Sequence, residues 1–157
     1  MTIDKKDRSI LMALQEDAKQ SSRDLSKKLD LPATTIHERI RKMEQEGVIK
    51  GYHVSIDYEK ADMPSTAIVL IKRTPVTSSG KKLIYNRIAD NIAKLSEIQE
   101  AHTVSGEYDM VLKIRGKNEK EIGNFVSDRI WVLPEVERTQ TLVCFHTSKD
   151  TCKVELK

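Results

Sequence analysis

The amino-acid sequence predicts an α+β protein with an N-terminal winged helix-turn-helix domain and a C-terminal βαββαβ ferredoxin-like domain whose sheet is antiparallel. Apolar residues recur at helical spacing up to about residue 46. A polar segment, DYEKADMP, then ends in proline, and strand-like and helix-like stretches alternate beyond it. We therefore divide the chain into a domain at residues 1–56, a linker at 57–64 and a second domain at 65–157.

Three helices are predicted in the first domain. Asp4 and Ser21 are each followed three residues later by an aspartate, so each pair has the spacing of a capping box that starts a helix. Ile36, Ile40 and Met43 share one face of the third helix, which Gly47 ends. The predicted segments are a helix from Asp4, helices at 22–29 and 33–46, and a small β-wing at 48–56.

The second domain alternates strands with two helices. The first strand is apolar on both faces, with Ala67, Val69 and Ile71 on one and Ile68 and Leu70 on the other. Since helices cover only one face of such a sheet, we expect a second subunit to cover the other face. The predicted strands are 66–72, 98–104, 110–115 and 136–147, and the predicted helices are 81–95 and 119–133.

The composition is that of an ordinary globular protein. Of 157 residues, 38% are hydrophobic and 32% are charged, and 27 Lys and Arg against 24 Asp and Glu leave a net charge of +3. The longest apolar run, residues 67–71, is too short to cross a membrane, and residues 1–6 contain no signal-peptide core. Two cysteines cannot form a disulfide framework, so we expect a cytoplasmic protein with no membrane partner.

The second and third helices, joined by a three-residue turn, have the pattern of a helix-turn-helix that places its second helix in the DNA major groove. Side chains opposite the apolar stripe offer hydrogen-bonding groups near the helix start and cations farther along. The alternative is an ordinary solvated helix face. For Arg39, beside the stripe, a structural ion pair and a phosphate contact remain equally open. The predicted DNA-binding residues are Arg23, Thr34, Thr35, His37, Glu38, Arg41, Lys42 and Lys50.

Three segments carry a resemblance that spans nearly the whole chain. They resemble segments of the Lrp/AsnC (feast/famine) transcription regulators, and they occur in the same order and at similar separation. The three segments are HERIRKMEQEGVIKGY, SGEYDMVLKIRGKN and VERTQTLV. Asp30 and Pro32 depart from the family pattern, which usually has glycine and often has serine at these positions. The resemblance implies a double-stranded DNA partner, a homodimer formed by back-to-back C-terminal sheets and often an octamer, with a small-molecule effector that is commonly an amino acid.

The resemblance also implies where the effector binds. In the family the site surrounds the turn between the second and third strands, with contributions from the last strand. Asp109 suits an ammonium group, and turn amides suit a carboxylate. The alternative from the residues alone is a simple hairpin in which Asp109 satisfies turn amides. The implied effector-binding residues are Gly106, Glu107, Tyr108, Asp109, Thr139 and Thr141.

Other chemistry finds little support in the sequence. No Gly-x-Ser-x-Gly elbow, phosphate-binding glycine loop or His-Glu-x-x-His helix is present, so we predict no enzyme, no catalytic residue and no cofactor. His102, Cys144, His146 and Cys152 lack metal-ligand spacing, so no metal site is predicted. The function predicted is DNA-binding transcription regulation with small-molecule sensing. The alternatives are an architectural DNA-wrapping protein and a metabolite-binding module with a helical dimerisation domain.

Overall fold

The computed structural model describes residues 2–75 and 89–156. The chain divides into two compact units. The first contains the chain up to Ser55 and the C-terminal segment from Lys149, and the second extends from Ile56 to Ser148. The predicted linker at 57–64 thus lies with the second unit, and residues from 149 onward lie with the first, a grouping that differs from the boundaries expected from sequence.

The first unit contains the three predicted helices. They are α1 (Lys5–Glu16), α2 (Ser22–Leu29) and α3 (Ala33–Gln45). Both predicted capping boxes form, at Asp4 and at Ser21. Asp30 adopts the left-handed conformation with φ 51°, and Gly47 follows α3 with φ +70°. The helices enclose a core of buried side chains, whose members are Ile10, Ala13, Leu14, Leu25, Ile36 and Met43.

The predicted β-wing at residues 48–56 does not form a strand, so this prediction was wrong in its secondary structure. The amides of Val48 and Ile49 both donate to the Met43 carbonyl, at 2.8 and 3.1 Å. These residues therefore continue the end of α3 and pack on its core, and their amides are not available to a β-ladder. The Tyr52 hydroxyl, which donates to Glu44 Oε1 at 2.9 Å, ties the following residues to the same helix.

The second unit contains a four-stranded antiparallel sheet in the ferredoxin-like order β2-β3-β1-β4. Its strands are β1 (Ser65–Arg73), β2 (Ile98–Thr103), β3 (Met110–Gly116) and β4 (Val136–Cys144). Val69 in the central strand β1 lies opposite Leu112 in β3 and Thr141 in β4. The last strand ends at Cys144, three residues before the predicted end.

Helical segments cover one face of this sheet. The helix α4 (Glu119–Phe125) continues as a π-helical turn at Val126–Ile130, three residues short of the prediction. Of the helix predicted at 81–95, residues 81–88 lie outside the described residues, and residues 89–92 are helical. Ala67, Val69 and Ile71 of β1 are fully buried beneath this layer. No helix in the described ranges has the length and apolar character needed to span a bilayer.

The chain that leads into β1 is fastened to the second unit. The guanidinium of Arg115 lies 3.6 Å from the centre of the Tyr58 ring, and the Tyr58 hydroxyl accepts a hydrogen bond from Gln99 Nε2 at 3.0 Å. Arg115 also donates to Gln99 Oε1 and to Thr66 Oγ1, at 3.0 and 2.8 Å. These contacts explain why residues 57–64 belong to the second unit instead of forming a free linker.

The C-terminal segment is fastened to α1 of the first unit. The Gln15 side chain donates to the Val154 carbonyl at 3.0 Å and accepts from the Val154 amide at 2.8 Å. Lys153 Nζ pairs with Glu16 Oε2 at 3.0 Å. The chain therefore returns from the second unit and ends on the helical one.

Candidate nucleic-acid interface and effector surface

The outer face of α3 presents a continuous row of polar side chains. Ile36 and Met43 are fully buried on the inner face of the helix. Residues at i, i+3 and i+4 share a helix face, so the positions between the buried ones point outward together. Of the predicted residues, Thr34, His37, Glu38, Arg41 and Lys42 are exposed and Thr35 is half-buried.

The two remaining predicted DNA contacts lie beside this helix in the chain. Arg23 is exposed in the first turn of α2, and Lys50 is exposed five residues after the end of α3. The left-handed Asp30 between α2 and α3 makes the sharp change of direction that a helix-turn-helix requires. The arrangement leaves α3 with one buried and one exposed face.

Arg39 points away from the exposed face. Its Nη1 lies 2.7 Å from Asp4 Oδ2 and 2.7 Å from Asp7 Oδ1. The hydrogen bond from the Asp7 amide, followed by that from Arg39, lowers the pKa of Asp4 below its ordinary value. The two carboxylates in turn raise the pKa of Arg39. Of the two interpretations left open by the sequence, the structure therefore supports the structural ion pair.

The turn before β3 is held against the end of β1. Gly106 has φ +123°, a conformation that favours glycine. The Asp109 amide donates to the Ile71 carbonyl at 2.9 Å, and its carboxylate accepts from the Arg73 amide at 2.9 Å. Lys72 Nζ lies 3.4 Å from the same carboxylate oxygen. Asp109 therefore has a structural role, as the hairpin alternative proposed, but its carboxylate accepts from the Arg73 amide on β1 and pairs with Lys72 instead of satisfying amides of its own turn.

Two opposing effects act on the Asp109 carboxyl. Partial burial favours its neutral form, but the hydrogen bond from the Arg73 amide and the Lys72 ammonium outweigh burial and lower its pKa. The carboxylate is thus ionised at neutral pH within contacts internal to the sheet.

The neighbouring turn residues reach β4. Tyr108 donates through its hydroxyl to Gln140 Oε1 at 2.6 Å, and the Arg138 guanidinium lies 5.3 Å from the centre of the Tyr108 ring. Arg138 Nη2 also pairs with Glu107 Oε1 at 2.6 Å. Glu107, Tyr108, Arg138 and Gln140 form a cluster that we call the turn cluster, and Arg138 and Gln140 were not among the predicted site residues.

Thr139 and Thr141 face the other side of the sheet. They lie opposite Ile71 and Val69, whose side chains point into the helix-covered core. The Trp131 indole donates to Thr139 Oγ1 at 2.6 Å. The structure therefore brings Glu107 and Tyr108 together with Arg138 and Gln140, whereas Thr139 and Thr141 lie on the opposite face of the sheet.

The residues considered as metal ligands are dispersed. In residues 2–75 and 89–156, no three His, Cys, Asp or Glu side chains are grouped as they would be around a metal ion. His102 instead lies 3.4 Å from Glu100 Oε2, on the exposed face of β2. Cys144 is half-buried and Cys152 exposed, both as free thiols.

Comparison with known proteins finds a matching family model for each of the two units. A family model described as Lrp/AsnC ligand binding domain matches residues 66–154, and one described as winged helix-turn-helix DNA-binding matches residues 3–50. The chain is 41% identical over 155 residues to the HTH-type transcriptional regulator FL11 of Pyrococcus horikoshii, covering 99% of this chain and 97% of that protein. It is 31% identical over 154 residues to the transcriptional regulator AzlB of Bacillus subtilis, covering 98% and 96%.

Solved structures share the fold. E. coli AsnC superposes with a TM-score of 0.83 at 24% identity, covering 99% of this chain and 100% of that one. The transcriptional regulator NMB0573 of Neisseria meningitidis, in complex with L-Met, has a TM-score of 0.85 at 21% identity, covering 99% and 97%. Because the family models account for both units and a relative aligns over nearly its whole length, the chain belongs to the Lrp/AsnC family of transcriptional regulators, with a helix-turn-helix DNA-binding domain and a ligand-binding domain.

Proposed function

We propose that this regulator recognises specific DNA sequences through the outer face of α3, as a homodimer, and that a small molecule bound by the second unit changes this recognition. The observation that carries the proposal is the exposed row on α3, with hydrogen-bonding side chains near the helix start and cations one to two turns later. Base edges are read by the former kind of group, and phosphates attract the latter.

Each proposed contact has a role set by its place. Thr34, Thr35, His37 and Glu38 are assigned to base edges, because they lie in the first two turns of α3. Arg41 and Lys42 are assigned to phosphates. Arg23 and Lys50, which precede and follow α3 in the chain, are assigned to phosphates as well. The proposal includes no covalent step, and it has the regulator act on DNA in the cytoplasm, the location expected from the sequence.

The proposal is tested by selecting duplexes from a randomised library with the full-length protein and titrating the selected and random duplexes in mobility-shift assays. A sequence-specific regulator binds its selected duplex at least about 10³ times tighter than random DNA. A ratio near one would instead support an architectural protein that wraps DNA. Absence of binding to any duplex would support a metabolite-binding module.

We further propose that the effector is an amino acid bound at the turn cluster. The exposed pair of Glu107 and Arg138 supports this assignment, because an amino acid carries the complementary ammonium and carboxylate and can exchange one ion pair for two. Gly106 adds an exposed turn backbone. Asp109 is assigned to holding the turn, and Thr139 and Thr141 are left out of the site because they face the core side.

A thermal-shift screen of the twenty amino acids tests the effector assignment, since a ligand that binds only the native state raises the unfolding temperature. We expect Glu107→Gln to abolish the shift produced by the best ligand. A full shift in that variant would contradict the assignment.

The homodimer is proposed from the face of the sheet opposite the helices. Ile68, Leu70 and Val111 are half-buried there, and Leu142 is 45% exposed. Contiguous apolar side chains on one sheet face are a typical interface between protein chains. A second copy of the chain covers this apolar patch in the proposal, as the family resemblance implies.

A further inference from the structure

The ion pairs of Arg39 connect the recognition helix to the beginning of α1. Arg39 lies on α3 between the buried Ile36 and Met43, one turn from each. Its two partners, Asp4 and Asp7, are the N-cap and the third residue of the α1 capping box. A single guanidinium nitrogen of Arg39 therefore joins α3 to α1. Its partners Asp7 and Asp4 are 32 and 35 residues away in the sequence.

The four carboxylate oxygens of this cluster are divided between two tasks. Asp4 Oδ1 accepts the Asp7 amide at 2.9 Å, and Asp7 Oδ2 accepts the Asp4 amide at 3.1 Å. The other oxygen of each aspartate contacts Arg39 Nη1 at 2.7 Å. The hydrogen bonds that start α1 and the ion pairs that hold α3 against α1 thus use the same two side chains, those of Asp4 and Asp7.

The burial of these ion pairs makes the loss of either partner costly. The Asp7 side chain is 2% exposed and Arg39 is 27% exposed. Among the described residues, Arg39 Nε is a buried nitrogen without a hydrogen-bond partner, so the guanidinium is held by its Nη1 contacts. Removing one partner of a buried ion pair leaves an uncompensated charge, whereas the exposed Arg41 has no such constraint.

We propose that Arg39 is a positioning residue for DNA recognition: through Asp7 and Asp4 it fixes where α3 lies on α1, and so determines base readout without touching DNA. This inference rests on the proposed role of the α3 outer face. Base contacts require side chains to be placed to a fraction of an ångström, whereas attraction to phosphates tolerates small displacements. Loss of the ion pair should therefore reduce specificity more than general affinity.

Arg39→Met and Arg41→Met provide a matched pair on the same helix. For each full-length variant, the affinity for the selected duplex and for a random duplex is measured over a range of salt concentrations. We expect Arg39→Met to lower the ratio of the two affinities by about tenfold or more, the loss of about one base contact, with an unchanged salt slope. We expect Arg41→Met to reduce the magnitude of the slope by about 0.9, the value of one phosphate.

Two further variants keep the inference falsifiable if Arg39→Met does not fold. Asp7→Asn should lower the affinity ratio as Arg39→Met does, although Asp7 is buried in α1. Arg39→Lys, which keeps the cation, should recover part of the ratio. A reduced salt slope in Arg39→Met would overturn the inference, because it would show a phosphate contact.

Folded variants with reduced stability but an unchanged affinity ratio would also overturn it, because Arg39 would then be only structural. An unchanged salt slope in Arg41→Met contradicts the proposed DNA interface instead, so the two failures are distinguishable.

Discussion

Aspartates illustrate how one residue type serves different purposes in this chain. Asp4 caps α1, Asp24 completes the capping box of α2, Asp30 supplies a left-handed turn, and Asp109 holds a hairpin against a strand. The two capping roles are local, so spacing in the sequence predicts them. The partners of Asp109 are 36 residues away, at the Arg73 amide and the adjacent Lys72, and only the folded sheet reveals them.

Replacing Asp109 with asparagine should destabilise the second unit by about 1 to 2 kcal/mol at pH 7, because the buried Arg73 amide loses a charged acceptor. The pKa of Asp109 is lowered in the folded state, so its contribution is present above its unfolded pKa of about 4 and is lost as pH falls through the lower folded value. Urea unfolding followed by the fluorescence of Trp131, the one tryptophan of the chain, measures this unit.

At pH 3 the difference between wild type and Asp109→Asn should be smaller than at pH 7. An equal difference at both pH values would contradict an electrostatic role for the carboxylate. Glu137→Gln on β4 serves as a control for removing one negative charge from the same unit.

At the scale of elements, the sequence predicts the helices and strands that are marked by patterns of residues close together in the chain. Capping boxes mark the starts of α1 and α2, a run that is apolar on both faces marks β1, and alternating apolar residues mark β3. The wing was predicted wrongly because its first amides, those of Val48 and Ile49, return to the Met43 carbonyl at the end of α3 instead of entering a β-ladder. The π-helical turn at Val126–Ile130 likewise leaves no local pattern.

The effector surface depends on strand register, which a single sequence specifies poorly. Thr139 and Thr141 differ from Gln140 by one position, and one position in a strand reverses the face of the sheet. Tyr108 reaches Gln140, so the turn cluster lies on the face opposite the threonines. The alternation within VERTQTLV predicts that neighbouring residues lie on opposite faces of the sheet. It does not predict which of these residues contact the turn before β3.

At the scale of the whole molecule, each unit contains a segment that the sequence placed elsewhere. Residues 57–64 are fastened to the sheet unit through Tyr58, and the C-terminal segment is fastened to the helical unit through Val154. Both attachments depend on contacts between residues that are far apart in the sequence. Composition does not reveal such contacts, which explains why the sequence predicted a linker at 57–64 and placed the C-terminal segment in the second domain.

The proposed homodimer is a property of the sheet face as a whole. Leu142→Asp introduces a charge into its apolar patch and should reduce the mass measured by sedimentation velocity toward that of a smaller assembly. Met12→Asp is a matched control, because Met12 on α1 is 40% exposed and Leu142 is 45% exposed. A wild-type mass for Leu142→Asp, or equal losses in both variants, would contradict the proposed interface.

The central claim is that the outer face of α3 reads DNA bases, and His37 tests it most directly because it is exposed in the second turn of that helix. Fluorescence anisotropy compares wild type and His37→Ala on the selected duplex and on random DNA. The account predicts a loss of roughly 1 to 3 kcal/mol on the selected duplex, about 5- to 150-fold in affinity, and a much smaller loss on random DNA. Equal losses on both duplexes, or no loss on either, would contradict it.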